Sequence, residues 1–287
     1  MVVMGHVMPY CPLYYWIYGF HVPLFFVISG MLCNYSKYSF SVFLKKRVIS
    51  LFVPFIIWYA IQVVSFHMII GDGVSRFRAI WFIEILFIAE VLYYCISQNL
   101  GKYAIISLPL LLMMAFILQY YQVHSLYRFE AIPGGMFFVG LGNYFKKYIH
   151  KFLNYLSYNH KYGIAVLLFF LAVSLIRAIL GHRTEFASNS LMLSDYAIAI
   201  FGVGFILLFS KMVSANRVLE FLGRNTIVIL GAHIILIKFT VCQIETFFGN
   251  HWLFKASQQL IMWSGCLMLI WLINRFFPWA AGKTYSR

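Results

Sequence analysis

His6 and His21 stand on either side of a short turn at Pro9–Pro12, each inside an apolar run. An ionisable side chain in such a run is a functional candidate, because hydrocarbon penalises it. Imidazole exchanges protons near neutral pH, so the pair suits general acid–base chemistry. On antiparallel neighbouring helices joined by a short loop, the two rings are expected at similar depth in the outer part of a membrane, facing each other. The alternative for either one is an interior histidine satisfied by a backbone carbonyl. Glu84 and Glu90 pose the same question further along, in an apolar stretch that also holds Trp81. A carboxylate there calls for a protein or water contact. Trp81 reads either as an interface aromatic or as a platform for substrate.

These residues need elements to hold them, and the composition says which. Of 287 residues, 63% are hydrophobic and only 10% charged, whereas about 25% is usual in soluble domains. A water-soluble fold of this length could not hide so much apolar surface, so the surrounding solvent is lipid. The fold class is therefore all-α: a polytopic transmembrane helical bundle forming a single membrane-embedded domain over residues 1–287. Spans fall near residues 1–8, 17–34, 50–70, 80–98, 104–120, 131–145, 163–181, 191–210, 226–247 and 258–279. That makes about ten spans with the first incomplete. The sixth is short and rich in glycine (Gly134, Gly135, Gly140, Gly142), which lets neighbouring helices approach closely.

The net charge of +14 would suggest nucleic acid in a soluble protein. Here it follows the loops instead, and no nucleic-acid partner is expected. Lys37, Lys45, Lys46, Arg47, Lys102, Lys146, Lys147, Lys151, Lys161, Lys211, Arg217, Arg224, Arg275, Lys283 and Arg287 fall in one alternating set of connections. Arg76, Arg78, Arg128, Arg183 and Lys255 fall in the other. The positive-inside rule makes the first set cytoplasmic, and the C-terminus with it. The cysteines are scattered singly, with no metal spacing and no disulfide framework, and no metal site is expected.

Several segments carry a resemblance. Val2-Val3-Met4-Gly5-His6-Val7 and the run Tyr18-Gly19-Phe20-His21-Val22-Pro23-Leu24-Phe25-Phe26-Val27-Ile28-Ser29-Gly30 resemble the opening of acyltransferase-3 proteins, membrane O-acyltransferases. The branch most similar is that of fucose 4-O-acetylases. Phe43-Leu44-Lys45-Lys46-Arg47 leading to Leu51-Phe52-Val53-Pro54-Phe55 resembles the family's second loop and third helix. Trp81-Phe82-Ile83 with Leu86-Phe87 and Glu90 resembles its Trp-Phe-Leu stretch, and Phe221-Leu222-Gly223-Arg224-Asn225-Thr226 with His233 its late Gly-Lys-Asn-Ser and His element. The match is dense over about residues 1–95 and sparse afterwards.

The resemblance implies transfer of an acetyl or other short acyl group from acyl-CoA to a hydroxyl of a surface carbohydrate or lipid-linked glycan precursor, in the cell membrane. Acyl-CoA enters as co-substrate, with no tightly bound cofactor. His6 matches the family's catalytic histidine and would act as general base, or as the carrier of a transient acyl-imidazole. His21 would orient it or join the proton path. Arg47, Lys46 and Lys45 lie at the cytoplasmic mouth of the third helix, suited to CoA phosphates or simply to topology. Trp81, Glu84 and Glu90 are the substrate-side candidates. Ser29 is expected to bond its own helix or permit close packing.

Two positions depart from the family pattern. Only Met1–Gly5 precede His6, so the cation usual ahead of it is missing. Either the start lies upstream, or the first helix is truncated and the enzyme impaired. Ser50 stands where a second Arg would follow Arg47. The rival reading from another class is a multi-pass exporter of a polysaccharide or acyl group; no internal repeat of the kind common in transporters is visible.

Overall fold

The computed structural model describes residues 12–70, 80–123, 125, 128–179, 193–213, 216–248 and 252–283. Most of these are helical, with no strand among them. In chain order the helices are α1 (Pro12–Leu32), α2 (Phe40–Arg47), α3 (Val53–Ile70), α4 (Trp81–Leu100), α5 (Ser107–Tyr120), α6 (Ile132–Tyr158), α7 (His160–Ile179), α8 (Leu193–Met212), α9 (Arg217–Arg224), α10 (Thr226–Phe248) and α11 (Trp252–Phe276). Short 3₁₀ segments sit at Gly101–Ile106, Phe129–Ala131 and Pro278–Ala281, and a π turn at Val48–Phe52 joins α2 to α3. Helix is the expected outcome in lipid, where every backbone N–H and C=O must find a partner within its own segment.

Among the described residues, five stretches are long and apolar enough to cross a membrane: Pro12–Leu32, Phe40–Met68, Trp81–Tyr120, Leu193–Met212 and Ser257–Phe276. Two bent pairs raise the number to as many as seven. They are Phe129–Tyr158 with His160–Ile176, at 119°, and Arg217–Arg224 with Thr226–Thr240, at 78°. Trp81–Tyr120 is one helical run where two were expected, but it is interrupted at Gly101, whose φ of +52° closes α4 as glycine commonly closes a helix. Lys45, Lys46 and Arg47 occupy the last turn of α2 rather than a loop. The expected short sixth span is longer: α6 continues through Lys146, Lys147 and Lys151, residues that favour helix, to Tyr158.

The chain divides into two compact units. The first holds Met1–Phe43 and Ile85–Asn216. There α1 packs on α6, α7 and α8, and α7 on α8. The α1–α6 crossing is a direct backbone approach. A Cβ on Gly30 would lie 2.0 Å from the Val139 carbonyl oxygen, and one on Gly142 would lie 2.1 Å from that of Val27. Only glycine permits that spacing, and the glycine-rich sixth segment serves the close approach read from its sequence. Trp16 Nε1 ties α1 to α7 by donating to Ser174 Oγ at 2.8 Å.

The second unit holds Leu44–Glu84 and Arg217–Arg287, where α3, α10, α11 and the 3₁₀ segment Pro278–Ala281 pack together. Trp58 Nε1 donates to the Ala280 carbonyl at 3.1 Å, and Gln62 Nε2 to that of Gly231 at 3.0 Å. Pro54 shapes the start of α3. It has no N–H for the Ser50 carbonyl and its ring crowds that oxygen, so the helix widens into the π turn. Gly282, with φ +71°, then packs on that carbonyl: a Cβ there would sit 2.6 Å from it. The C-terminal segment is thereby seated against the entry to α3.

Candidate functional site

His6 lies outside the described residues. His21 lies in the middle of α1, buried beside Phe20 and Val22. Its Nδ1 is 3.0 Å from the Ile17 carbonyl one turn back. A carbonyl only accepts, so Nδ1 carries the proton, and in the neutral ring Nε2 carries the lone pair. Tyr18 meets the imidazole edge-on, with centroids 4.8 Å apart. The ring is therefore interior and carbonyl-bonded, and the same bond that satisfies it leaves a base of fixed orientation.

Two turns beyond His21, α1 supplies Ser29, and Cys33 follows just past its end. The Ser29 hydroxyl donates to Glu90 Oε1 on α4, so it bonds across helices rather than back to its own. The Cys33 thiol points at the same oxygen from 3.6 Å. Glu90 is fully buried, and these contacts are what a carboxyl inside an apolar span requires. Lys146 on α6 closes the end of α1, donating to the Cys33 carbonyl at 3.0 Å and to Asn143 Oδ1 at 3.2 Å. A cation at a helix C-terminus is placed favourably against the helix dipole.

The remaining candidates belong to the second unit. Trp81 opens α4 and Glu84 lies in its first turn, where a carboxylate complements the exposed N–H groups. Lys45 and Lys46 are exposed and Arg47 half-buried at the end of α2. His233 on α10 repeats the pattern of His21: it is buried, with Nδ1 2.9 Å from the Ile229 carbonyl. In the first unit, an apolar cleft of about 720 Å³ runs along α5, lined by Pro109, Met113, Phe116, Tyr120 and Leu193. None of the candidate side chains lines it.

A family model described as an acyltransferase domain, acyltransferase-3, matches residues 1–274. The chain belongs to the acyltransferase-3 family. No curated protein and no solved structure matches it. Family membership supports acyl transfer as the chemistry of this acyltransferase, and with its apolar helices marks it as a membrane protein. The match takes in His6, His21, Arg47, Trp81, Glu90 and Asn225, and ends within α11.

Sequence reasoning missed two groupings in this acyltransferase. One is Ser29 with Glu90, which comes from helices far apart in the chain. The other joins Asn225, Asn274 and Lys283. Asn274 Nδ2 donates to Asn225 Oδ1 at 2.8 Å, and Lys283 Nζ donates to Asn225 Oδ1 at 2.9 Å and to Asn274 Oδ1 at 2.8 Å. No local motif announces either one. The signal available was a buried-type polar residue inside an apolar run, which singles out Ser29 and Glu90 but not their pairing.

Proposed function

We propose that this acyltransferase moves an acetyl or other short acyl group from acyl-CoA to a hydroxyl of a surface carbohydrate or of its lipid-linked precursor. The observation that carries the reading is His21: a buried imidazole on α1, bonded through Nδ1 so that Nε2 is the basic nitrogen, in a chain of the acyltransferase-3 family. His6, on the preceding segment, takes the acceptor proton as the hydroxyl oxygen attacks the thioester carbonyl. The C–S bond then breaks, CoA leaves as thiolate, and the proton passes to it. His21 orients His6 or shares the proton path. Lys45, Lys46 and Arg47 meet the CoA phosphates, and Trp81, Glu84 and Glu90 face the acceptor side. For its thioester to meet His6, the pantetheine arm of CoA threads in among the helices.

The proposed enzyme is a single domain of about ten spans, the first incomplete, in the cell membrane, with a cytoplasmic C-terminus and a similarity to the fucose 4-O-acetylase-like branch. Counting α4 and α5 as separate spans adds one to the number among the described residues. At 1.5 Å per residue an unbroken run from Trp81 to Tyr120 would be about twice the thickness of the hydrocarbon core.

Mass spectrometry of surface polysaccharide from cells with the gene, without it, and with His6→Ala tests the reading. Acetyl groups present in the first strain and absent from the other two are expected. Unchanged acylation without the gene rejects the enzyme for that glycan, and retained acylation in His6→Ala rejects the assigned base.

A further inference from the structure

Three residues of the second unit, Asn225, Asn274 and Lys283, meet near the end of α11, and Lys283 lies beyond the stretch matched by the family. Lys283 follows Gly282, the residue seated on the Ser50 carbonyl. Its ammonium has three donors. Two are spent on the side-chain oxygens of Asn225 and Asn274, which are themselves tied together. The third remains. Asn225 is buried, so this pair of amides is a fixed cradle rather than a loose surface contact. Among the described residues Lys283 is held by amide oxygens and by no carboxylate.

The nearest charge acting on it among the described residues is positive. Arg224, adjacent to Asn225, is close enough to lower the proton affinity of Lys283, an effect second only to burial. Among the described residues Arg224 has one distant carboxylate contact, Glu220 at 3.8 Å, with both side chains largely exposed, and such a pair neutralises little. Ser50 adds a buried hydroxyl with no hydrogen-bond partner among the described residues. Among the described residues no carboxylate meets this lysine, and an anion would take up its remaining donor.

We infer that Lys283, held by Asn225 and Asn274 beside Arg224, is a binding site for a phosphate group. The inference rests on the proposed function for its orientation and its ligand: the basic connections mark this face as cytosolic, and the phosphate there is one of those on acyl-CoA. The same chemistry would accept the headgroup of an anionic lipid, so the test must separate the two. Lys283 is thus a binding residue supplied by the C-terminal segment, in addition to Arg47 on α2.

The experiment uses the full chain in nanodiscs of phosphatidylcholine and follows equilibrium binding of CoA to wild type, Lys283→Met, Lys283→Arg and Arg224→Gln. Loss of one charge-assisted bond is expected to weaken CoA about tenfold or more in Lys283→Met. Lys283→Arg should stay within a few-fold of wild type. Arg224→Gln leaves the amide cradle intact, so a weaker affinity in that folded variant reports lost charge rather than lost structure. CoA affinity unchanged in both Lys283→Met and Arg224→Gln overturns the site. A second arm measures retention of phosphatidylglycerol by native mass spectrometry. If wild type ignores CoA but holds this lipid through Lys283, the phosphate site stands and the acyl-CoA reading fails. If wild type binds neither, the phosphate site itself is rejected.

Discussion

The hydroxyl of Ser29 donates to the carboxyl of Glu90, fastening α1 to α4 in the interior of the first unit. Glu90, fully buried, needs such a partner on an apolar helix. Eight residues separate Ser29 from His21, which is about 12 Å along the helix axis. The bond therefore fixes the helix that carries the imidazole without touching it.

Replacing Ser29 by Ala removes one donor from a buried carboxyl, and the protein should lose about 1–3 kcal/mol of stability. Thermal unfolding in detergent reads this. The double variant Ser29→Ala/Glu90→Leu should recover part of the loss, because no acceptor is then left stranded. Equal or greater loss in the double variant would show that other contacts of Glu90 dominate.

Gly30→Ala places a methyl group where 2.0 Å separates it from the Val139 carbonyl oxygen. The two backbones must move apart, at a cost of about 1–3 kcal/mol if the helices can adjust. Fluorescence-detected size exclusion should show reduced folded yield. Gly223→Ala, where nothing lies within 4 Å, is the control and should behave as wild type.

His21→Phe keeps the ring and its packing but removes the base, so the fold should persist. Acyl transfer is expected to fall by about 10²–10⁴, the usual contribution of a proton-transfer group. Product formation by purified protein, measured alongside thermal stability, separates the two effects. Undiminished turnover in a folded His21→Phe protein would remove His21 from the proton path.

Lys283 titrates below an ordinary lysine, first because it is partly buried and then because Arg224 lies near. Its folded value is lower than its unfolded one, so the unfolded chain binds more protons between the two. Stability from this group accordingly rises with pH through the window just below 10.5. Reductive ¹³C-methylation followed by NMR titration would read the shift directly. Arg224→Gln should raise the value, and so should bound CoA, whose phosphate would stabilise the ammonium. A titration midpoint unmoved by Arg224→Gln would contradict the assigned cause.

Much of this protein is legible in its residues taken in order. Hydropathy adds up locally, so runs of apolar residues announce helices in lipid wherever they fall, and α1, α3, α8 and α10 lie where such runs predict them. The glycines of the sixth segment likewise announce a close helix crossing. His21, Glu90 and the family membership were also readable, because a polar residue in an apolar run is conspicuous without its neighbours.

Only the tertiary structure decided which of those residues meet. Ser29 and Glu90 are 61 positions apart, and Lys283 lies 58 positions from Asn225. Each helical residue turns by about 100°, so the face a side chain presents, and the partner it finds, depend on the rotation and packing of whole helices. The seating of Lys283 depends further on one detail of packing: Pro54 opens the helix at Ser50, and a glycine is present at 282 to fill the space. No pattern read along the chain contains that coincidence, because it exists only between segments at opposite ends of it.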